Sequence, residues 1–302
     1  MGIAVKVLKV NGTANHVRAR QFDQSLQQQL NQDQPDLVIG FDKMSGLDLY
    51  FAADPCFVTR TAKRMALYRL LPRYRTFRNL EGAVFGPSTA TQILLLDDRE
   101  RDHYQRTWQT SSDRFVLLPP GIDKNRLKGP DADALRQQGR TEFGVGEQDK
   151  LVLLLAANFE LKGLDRAMKA VADLPDELRA RTHLLAVGQK PPRRLSQLAE
   201  QLGIASQVKM IAGREDVPLL LQAADVLIHP ARRDMTGTVL LEAIAAGLPI
   251  LCTDTCGYAK HVQAAGCGHV VGKWDDSSTA RKHLVSLLSI DTTPLQESAV
   301  RY

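Results

Sequence analysis

The chain contains no run of about 18 uncharged apolar residues, the length needed to span a bilayer, so no transmembrane helix is expected. Its opening, MGIAVKVLKV, lacks a basic flank followed by a long apolar core, and no signal peptide is expected either. Only four cysteines occur, Cys56, Cys252, Cys256 and Cys267, and none belongs to a CxxC pair. That argues against structural zinc and for reduced, buried thiols in a cytosolic protein. Neither GxGxxG nor a Walker A string is present, which argues against a dinucleotide fingerprint or a P-loop. No internal repeat or low-complexity tract stands out. Hydrophobic residues make up 44% and charged residues 24%, a globular balance that argues against disorder, collagen and coiled coil. At about 100–200 residues per domain, 302 residues leave room for two.

Acid is missing from one long stretch. Between Pro55 and Leu80 lie Arg60, Lys63, Arg64, Arg69, Arg73, Arg75 and Arg78, with no carboxylate among them. These seven cations exceed the net charge of +5, so the rest of the chain is net acidic. Phe57, Met65, Leu67, Tyr68, Leu70, Leu71, Tyr74 and Phe77 are mixed in, and Pro72 is expected to divide the stretch into two short helical pieces. Such a segment suits an anionic membrane surface or a nucleic-acid backbone. It equally suits a solvated helix face.

The second half alternates short apolar runs with helical patterns. Strands are expected at Leu151–Ala157, His183–Val187, Val208–Ile211, Val226–Ile228, Pro249–Cys252 and His269–Val271. Helices are expected between them at Leu164–Leu174, Arg194–Leu202, Pro218–Ala224, Thr238–Ala246, Tyr258–Ala264 and Ser278–Leu288. Unalternated apolar strands separated by helices read as a parallel sheet covered on both faces, the doubly wound Rossmann-like arrangement. The first half is of the same α/β type and reads as incomplete. Its candidate strands are Ile3–Val10, Leu37–Ile39, Leu49–Ala52, Ile93–Leu96 and Phe115–Leu118. Its candidate helices are Val17–Leu30, Val58–Leu71 and Asp98–Trp108. The expected division is residues 1–122, a linker region at 123–149, and residues 150–302. Two such halves suggest a ligand bound across a cleft.

The stretch His229–Pro249, HPARRDMTGTVLLEAIAAGLP, narrows the ligand. A strand ends at His229-Pro230, and Thr236-Gly237-Thr238 leads into a helix whose free N–H groups suit an anion or hydroxyl. Asp234 and Glu242 lie eight positions apart, one in the loop and one on the second helical turn. Carboxylates so placed can accept hydroxyl hydrogen bonds from two sugars of one ligand. By spacing alone, Asp234 as a helix cap and Glu242 as a solvated residue fit as well.

This stretch resembles the pattern of GT-B glycosyltransferases of family 4, in which two acids are separated by seven residues. One departure is Asp234, where the pattern carries Glu; it is one methylene shorter and re-aims a bond to the donor sugar. From about Val10 to Tyr302, and most closely in the first half, the chain resembles the lipopolysaccharide core glucosyltransferase I family. The resemblance lies in GFDKMSGLDLYFAADPCF (Gly40–Phe57), RFVLLPPGI (Arg114–Ile122), Lys162–Arg166, Gly213-Arg214 before Asp216-Val217, and Cys256–Ala259.

The resemblance implies two Rossmann-like domains facing across a cleft. It implies a retaining transfer of glucose from UDP-glucose to an inner-core heptose of lipopolysaccharide, at the cytoplasmic face of the inner membrane. No cofactor and no metal are implied, and nucleic acid drops out as a partner. Lys162 and Arg126 are assigned to the diphosphate and Arg214 to the uridine end. Glu242 is assigned to the ribose, and Asp234 with Met235, Thr236, Gly237 and Thr238 to the hexose and β-phosphate. Lys162, Arg126 and Asp234 form the implied catalytic set. Asp48, Lys43 and His16 are assigned to the acceptor. The seven cations of the basic segment match the family's membrane-contacting region. The family's opening strand with a Gly-Gly turn, and its C-terminal crossover helix, have no counterpart in the string. The alternative expectation is therefore an impaired homologue that only binds UDP-sugar or membrane.

Overall fold

The computed structural model describes residues 4–272, 274 and 277–302. The chain divides into two units, Met1–Pro120 and Gly121–Tyr302.

In the first unit four short parallel strands lie in the order β1-β2-β3-β4: β1 Ile39–Gly40, β2 Leu49–Ala52, β3 Gln92–Leu95 and β4 Phe115–Leu117. Tyr50 pairs with Ile93 and Ile93 with Phe115, so one row of side chains enters the core. The helices are α1 Asn15–Asp33, α2 Phe57–Thr61, α3 Pro72–Phe85 and α4 Arg99–Trp108. Phe85 of α3 stacks on Tyr104 of α4 at 3.7 Å and meets Tyr50 edge-on. Each aromatic ring withdraws a large apolar area from water, so this cluster carries much of the small core. Arg114 is buried because its guanidinium finishes the backbone of α3. It donates to the carbonyls of Thr91, Gly86 and Val84.

Two expectations for this unit need correction. Residues Ala4–Val10 form no strand, and Val5 and Val7 are exposed, because no neighbouring strand pairs with them; Ile3 lies outside the described residues. Val58–Leu71 is not one helix, although Pro72 does divide the basic stretch, with helical pieces on both sides of it. The chain leaves α2 at Thr61 and makes a 3-10 turn at Ala66–Leu70. Pro72 then opens α3, where its missing N–H costs no hydrogen bond.

The second unit carries six parallel strands in the order β10-β9-β8-β5-β6-β7. These are β5 Lys150–Ala156, β6 Thr182–Gly188, β7 Val208–Ala212, β8 Val226–His229, β9 Ile250–Thr253 and β10 Gly268–Val271. Side chains of β5 alternate between two cores. Leu151 and Leu153 face the layer containing Leu227, Leu240 and Ile250. Val152 and Leu154 face the layer containing Met168, Leu184 and Leu284. Burial on both faces is why these strands read as uninterrupted apolar runs. Helices α6 Leu164–Ala172, α8 Arg193–Gln201, α9 Val217–Ala223, α10 Thr238–Ala245, α11 Ala259–Ala265 and α12 Ser277–Ser289 cover the sheet. Two short helices, α7 Asp176–Ala180 and α13 Thr293–Arg301, were not legible as helical patterns.

The region read as a linker, 123–149, is part of this unit. Residues Ala132–Phe143 form helix α5. Its Gly139 lies so close to Ala223 and Leu219 that a Cβ would stand 2.7 Å from the Ala223 methyl. Arg136 and Arg140 of the same helix clamp Asp225, at 2.5 and 3.1 Å.

Chain order runs from β5 outward through β6 and β7, then returns to the other side of β5 at β8. The junction between β5 and β8 is therefore the topological switch point. There the loops at the carboxyl ends of two adjacent strands depart in opposite directions and leave a crevice.

Candidate active site

The loop after β5 delivers Lys162, and the loop after β8 delivers Asp234. Gly163 makes the first delivery possible. Its φ is +78°, and a Cβ there would lie 2.2 Å from the Pro230 carbonyl oxygen. Only glycine permits this approach of the α6 start to the end of β8. Lys162 Nζ then reaches Asp234 Oδ2 at 2.5 Å. The same oxygen accepts from His229 Nε2 at 2.8 Å. The His229 ring is buried and its Nδ1 has no partner among the described residues. A proton on Nδ1 would be a buried, unpaired donor, so the Nε2–H tautomer is the one this geometry favours. Burial would raise the Asp234 pKa, but the hydrogen bonds from His229 and Lys162, with the charge of the lysine, outweigh it and hold the carboxyl at about 2.

A second cation–acid pair comes from further along the chain. A 3-10 turn at Lys124–Arg126, capped by the Asp123 side chain, presents Arg126. Its Nε donates to Glu242 Oε1 on α10 at 3.2 Å, while its buried Nη1 has no partner among the described residues. Helix α10 starts at Gly237, again with positive φ (+77°), where a Cβ would crowd Leu240 and Cys256. The Thr236 carbonyl accepts from the Tyr258 amide, and Asp234 bridges to Cys256, so Asp234–Thr238 is fixed at both ends.

A His229 ring nitrogen, an Asp234 oxygen and Cys256 Sγ lie within 4.8 Å of one another, a ligand set in kind for a soft divalent cation. The groups are committed otherwise. Asp234 already accepts two charge-assisted bonds, and burial together with Asp234 pushes the Cys256 thiol up to about 12. A metal there must displace Lys162 and remove a thiol proton.

The structure therefore brings together Lys162, Asp234, Arg126 and Glu242 as two ion pairs, with Met235, Thr236, Gly237 and Thr238 on the intervening loop and helix start. Arg214 is engaged elsewhere. Its guanidinium is held by Asp216 and Glu142 beyond the edge strand β7, and their hydrogen bonds raise its pKa. His229 was missed by sequence reasoning, since a lone histidine at a strand end reads as core. The CxxxC spacing of Cys252 and Cys256 carried no signal for a site.

In the first unit the three acceptor candidates separate. Asp48 precedes β2 and accepts from the Val38 amide at 2.8 Å, at the amino end of the strand. Lys43 Nζ is bound to Glu81 at 2.6 Å and to the Pro55 carbonyl, and it lines a cavity at the carboxyl ends of β1 and β2. His16, on the first turn of α1, is half-buried and does not line that cavity. The seven cations of the basic segment are all exposed, and none has a carboxylate within salt-bridge distance among the described residues. Beside them Met65, Leu67 and Leu70 stand 76%, 66% and 61% exposed.

A doubly wound sheet with paired acids and cations at its switch point forms a charged crevice where α/β folds bind ligands. The family model described as glycosyl transferases group 1 matches residues 136–300, more than half of the chain, and the chain belongs to that family. It is 42% identical over 265 residues to the lipopolysaccharide glucosyltransferase WaaG of Escherichia coli (strain K12), covering 87% of this chain and 71% of that enzyme. A crystal structure of WaaG, a glycosyltransferase involved in lipopolysaccharide biosynthesis, matches with a TM-score of 0.91 at 39% identity, over 97% of this chain and 80% of that one. The D-inositol 3-phosphate glycosyltransferase of Streptomyces scabiei (strain 87.22) is 31% identical over 210 residues, 63% of this chain and 46% of its own length. The fold is of the GT-B class.

Proposed function

We propose that the chain transfers glucose from UDP-glucose to an inner-core heptose of lipopolysaccharide, with retention and without a metal, at the cytoplasmic face of the inner membrane. The observation that carries the donor site is the pairing of Lys162 with Asp234 and of Arg126 with Glu242 at the switch point, with one Arg126 nitrogen buried and unpartnered. As the glycosidic bond to UDP breaks, negative charge grows on the departing phosphate. A lysine has three donor hydrogens, so Lys162 can keep Asp234 and still face that phosphate. Fixed cations aimed at developing charge favour the transition state over the ground state. Asp234 and Glu242 hold these cations in place before the donor arrives and accept sugar and ribose hydroxyls afterwards.

Membrane contact is the second half of the proposal. No described helix is long and apolar enough to cross a membrane. The exposed Met65, Leu67 and Leu70 beside unpaired arginines make a surface that inserts shallowly and meets anionic headgroups. The test is transfer of labelled glucose from UDP-glucose to a heptose-terminated inner-core acceptor, with and without chelator. Incorporation unchanged by EDTA is expected, and Lys162→Ala is expected to lose about 100-fold or more in rate. Donor binding without any transfer would favour the impaired homologue instead.

A further inference from the structure

The first unit contains a cavity of about 600 Å³ that the donor site does not use. Asp42, just after β1, and Asp54, just after β2, place it at the carboxyl ends of parallel strands, where α/β folds bind ligands. Arg18 of α1, Arg60 of α2 and Arg73 of α3 line it from three different helices. None of the three has a carboxylate within salt-bridge distance among the described residues. Lys43 lines the cavity too, but its ammonium is taken by Glu81 and the Pro55 carbonyl. Phe57 and Phe77, with ring centroids 5.7 Å apart, form an apolar wall.

Three arginines converging on one cavity without acids of their own fit a bound oxyanion, because each guanidinium presents paired N–H groups to a phosphate or carboxylate. Free carboxylates at Asp42 and Asp54 fit hydroxyl groups. The Arg60 and Arg73 guanidiniums lie over the Phe57 and Phe77 rings, each 5.7 Å from the centroid, and these contacts hold the two cations at the cavity wall. A membrane surface alone does not account for Arg18, which lies outside the basic segment.

We propose that this cavity binds an anionic saccharide, with its phosphate or carboxylate on Arg18, Arg60 and Arg73 and its hydroxyls on Asp42 and Asp54. The proposal rests on the reading of the first unit as the acceptor side, and it assigns the charged group of the acceptor to a defined place.

Calorimetric titration of the whole chain with glucose 6-phosphate, glucuronate, glucose and inorganic phosphate tests it. The charged sugars should bind about tenfold or more tightly than glucose, and R18Q/R73Q should remove that preference. The better of the two charged sugars identifies the oxyanion. Arg69→Gln, outside the cavity, should leave sugar binding unchanged while weakening adhesion to anionic vesicles. Retained UDP binding checks that each variant is folded. Equal binding of glucose and both charged sugars would overturn the proposal. So would wild-type affinity in R18Q/R73Q, or inorganic phosphate binding as tightly as glucose 6-phosphate. Charged-sugar binding without glucose transfer would count against the proposed reaction and leave the cavity assignment standing.

Discussion

At the scale of single residues, two carboxylates organise the two units. Glu81 is fully buried and accepts from Lys43 Nζ, the amides of Phe57 and Val58, and Trp108 Nε1. It ties the start of α2 to α3 and α4 and holds one wall of the first-unit cavity. Glu81→Gln leaves Lys43 half-buried without its counter-charge, and should lower stability by about 3 kcal/mol in urea titration. Asp234 plays the corresponding part in the second unit. Its pKa is lowered to about 2, so the stability it confers is complete above its ordinary value near about 4 and is lost as pH falls through about 2. The Tm gap between wild type and Asp234→Asn should therefore be widest above pH ~4 and shrink toward pH ~2. A gap that stays constant down to the lower limit contradicts the pairing. The residue types of this site were legible from the HPARRDMTGTVLLEAIAAGLP string. Its pairings were not. Arg126 finds Glu242 across 116 positions, and nothing local in either segment marks the contact.

Elements explain which parts of the fold could be read. Strands β5 to β10 and their helices emerge within a residue or two of the expected bounds, because the central strands β5, β6, β8 and β9 are buried on both faces and read as apolar runs. The first sheet is harder. Its strands span two to four residues, and β1 has a neighbour on one side only. Helix α5 is hard to read because Gly139 within it and Gly144 at its C-cap disfavour helix, and its stabilising partners, Leu219, Ala223 and Asp225, lie far along the chain. The beginning of α6 is the element on which the site depends most. Gly163→Ala combines a left-handed backbone with a clash against the Pro230 carbonyl and should destabilise by about 1–3 kcal/mol. UDP-glucose affinity should fall with it, since the shift moves Lys162 away from Asp234. Wild-type melting and affinity in that variant would contradict the packing described for the β5–α6 turn.

For the whole molecule, charge is divided by task. The first unit carries the seven cations of the basic segment, none within salt-bridge distance of an acid among the described residues, whereas the second pairs the cations of its crevice, Lys162 with Asp234 and Arg126 with Glu242. At about 1 kcal/mol per basic residue near an anionic leaflet, removing Arg69 and Arg75 together should weaken vesicle binding about tenfold or more in a flotation assay. The effect should fade as salt is raised. Nucleotide binding to the second unit should not change. The proposed activity depends above all on the donor site at the β5–β8 junction. Its most direct test is calorimetric titration of UDP-glucose into the wild-type chain and Lys162→Ala. Saturable binding of UDP-glucose that Lys162→Ala weakens by about tenfold or more is the expected result. A folded wild-type chain that binds neither UDP nor UDP-glucose, or a Lys162→Ala chain that binds as well as wild type, would contradict it.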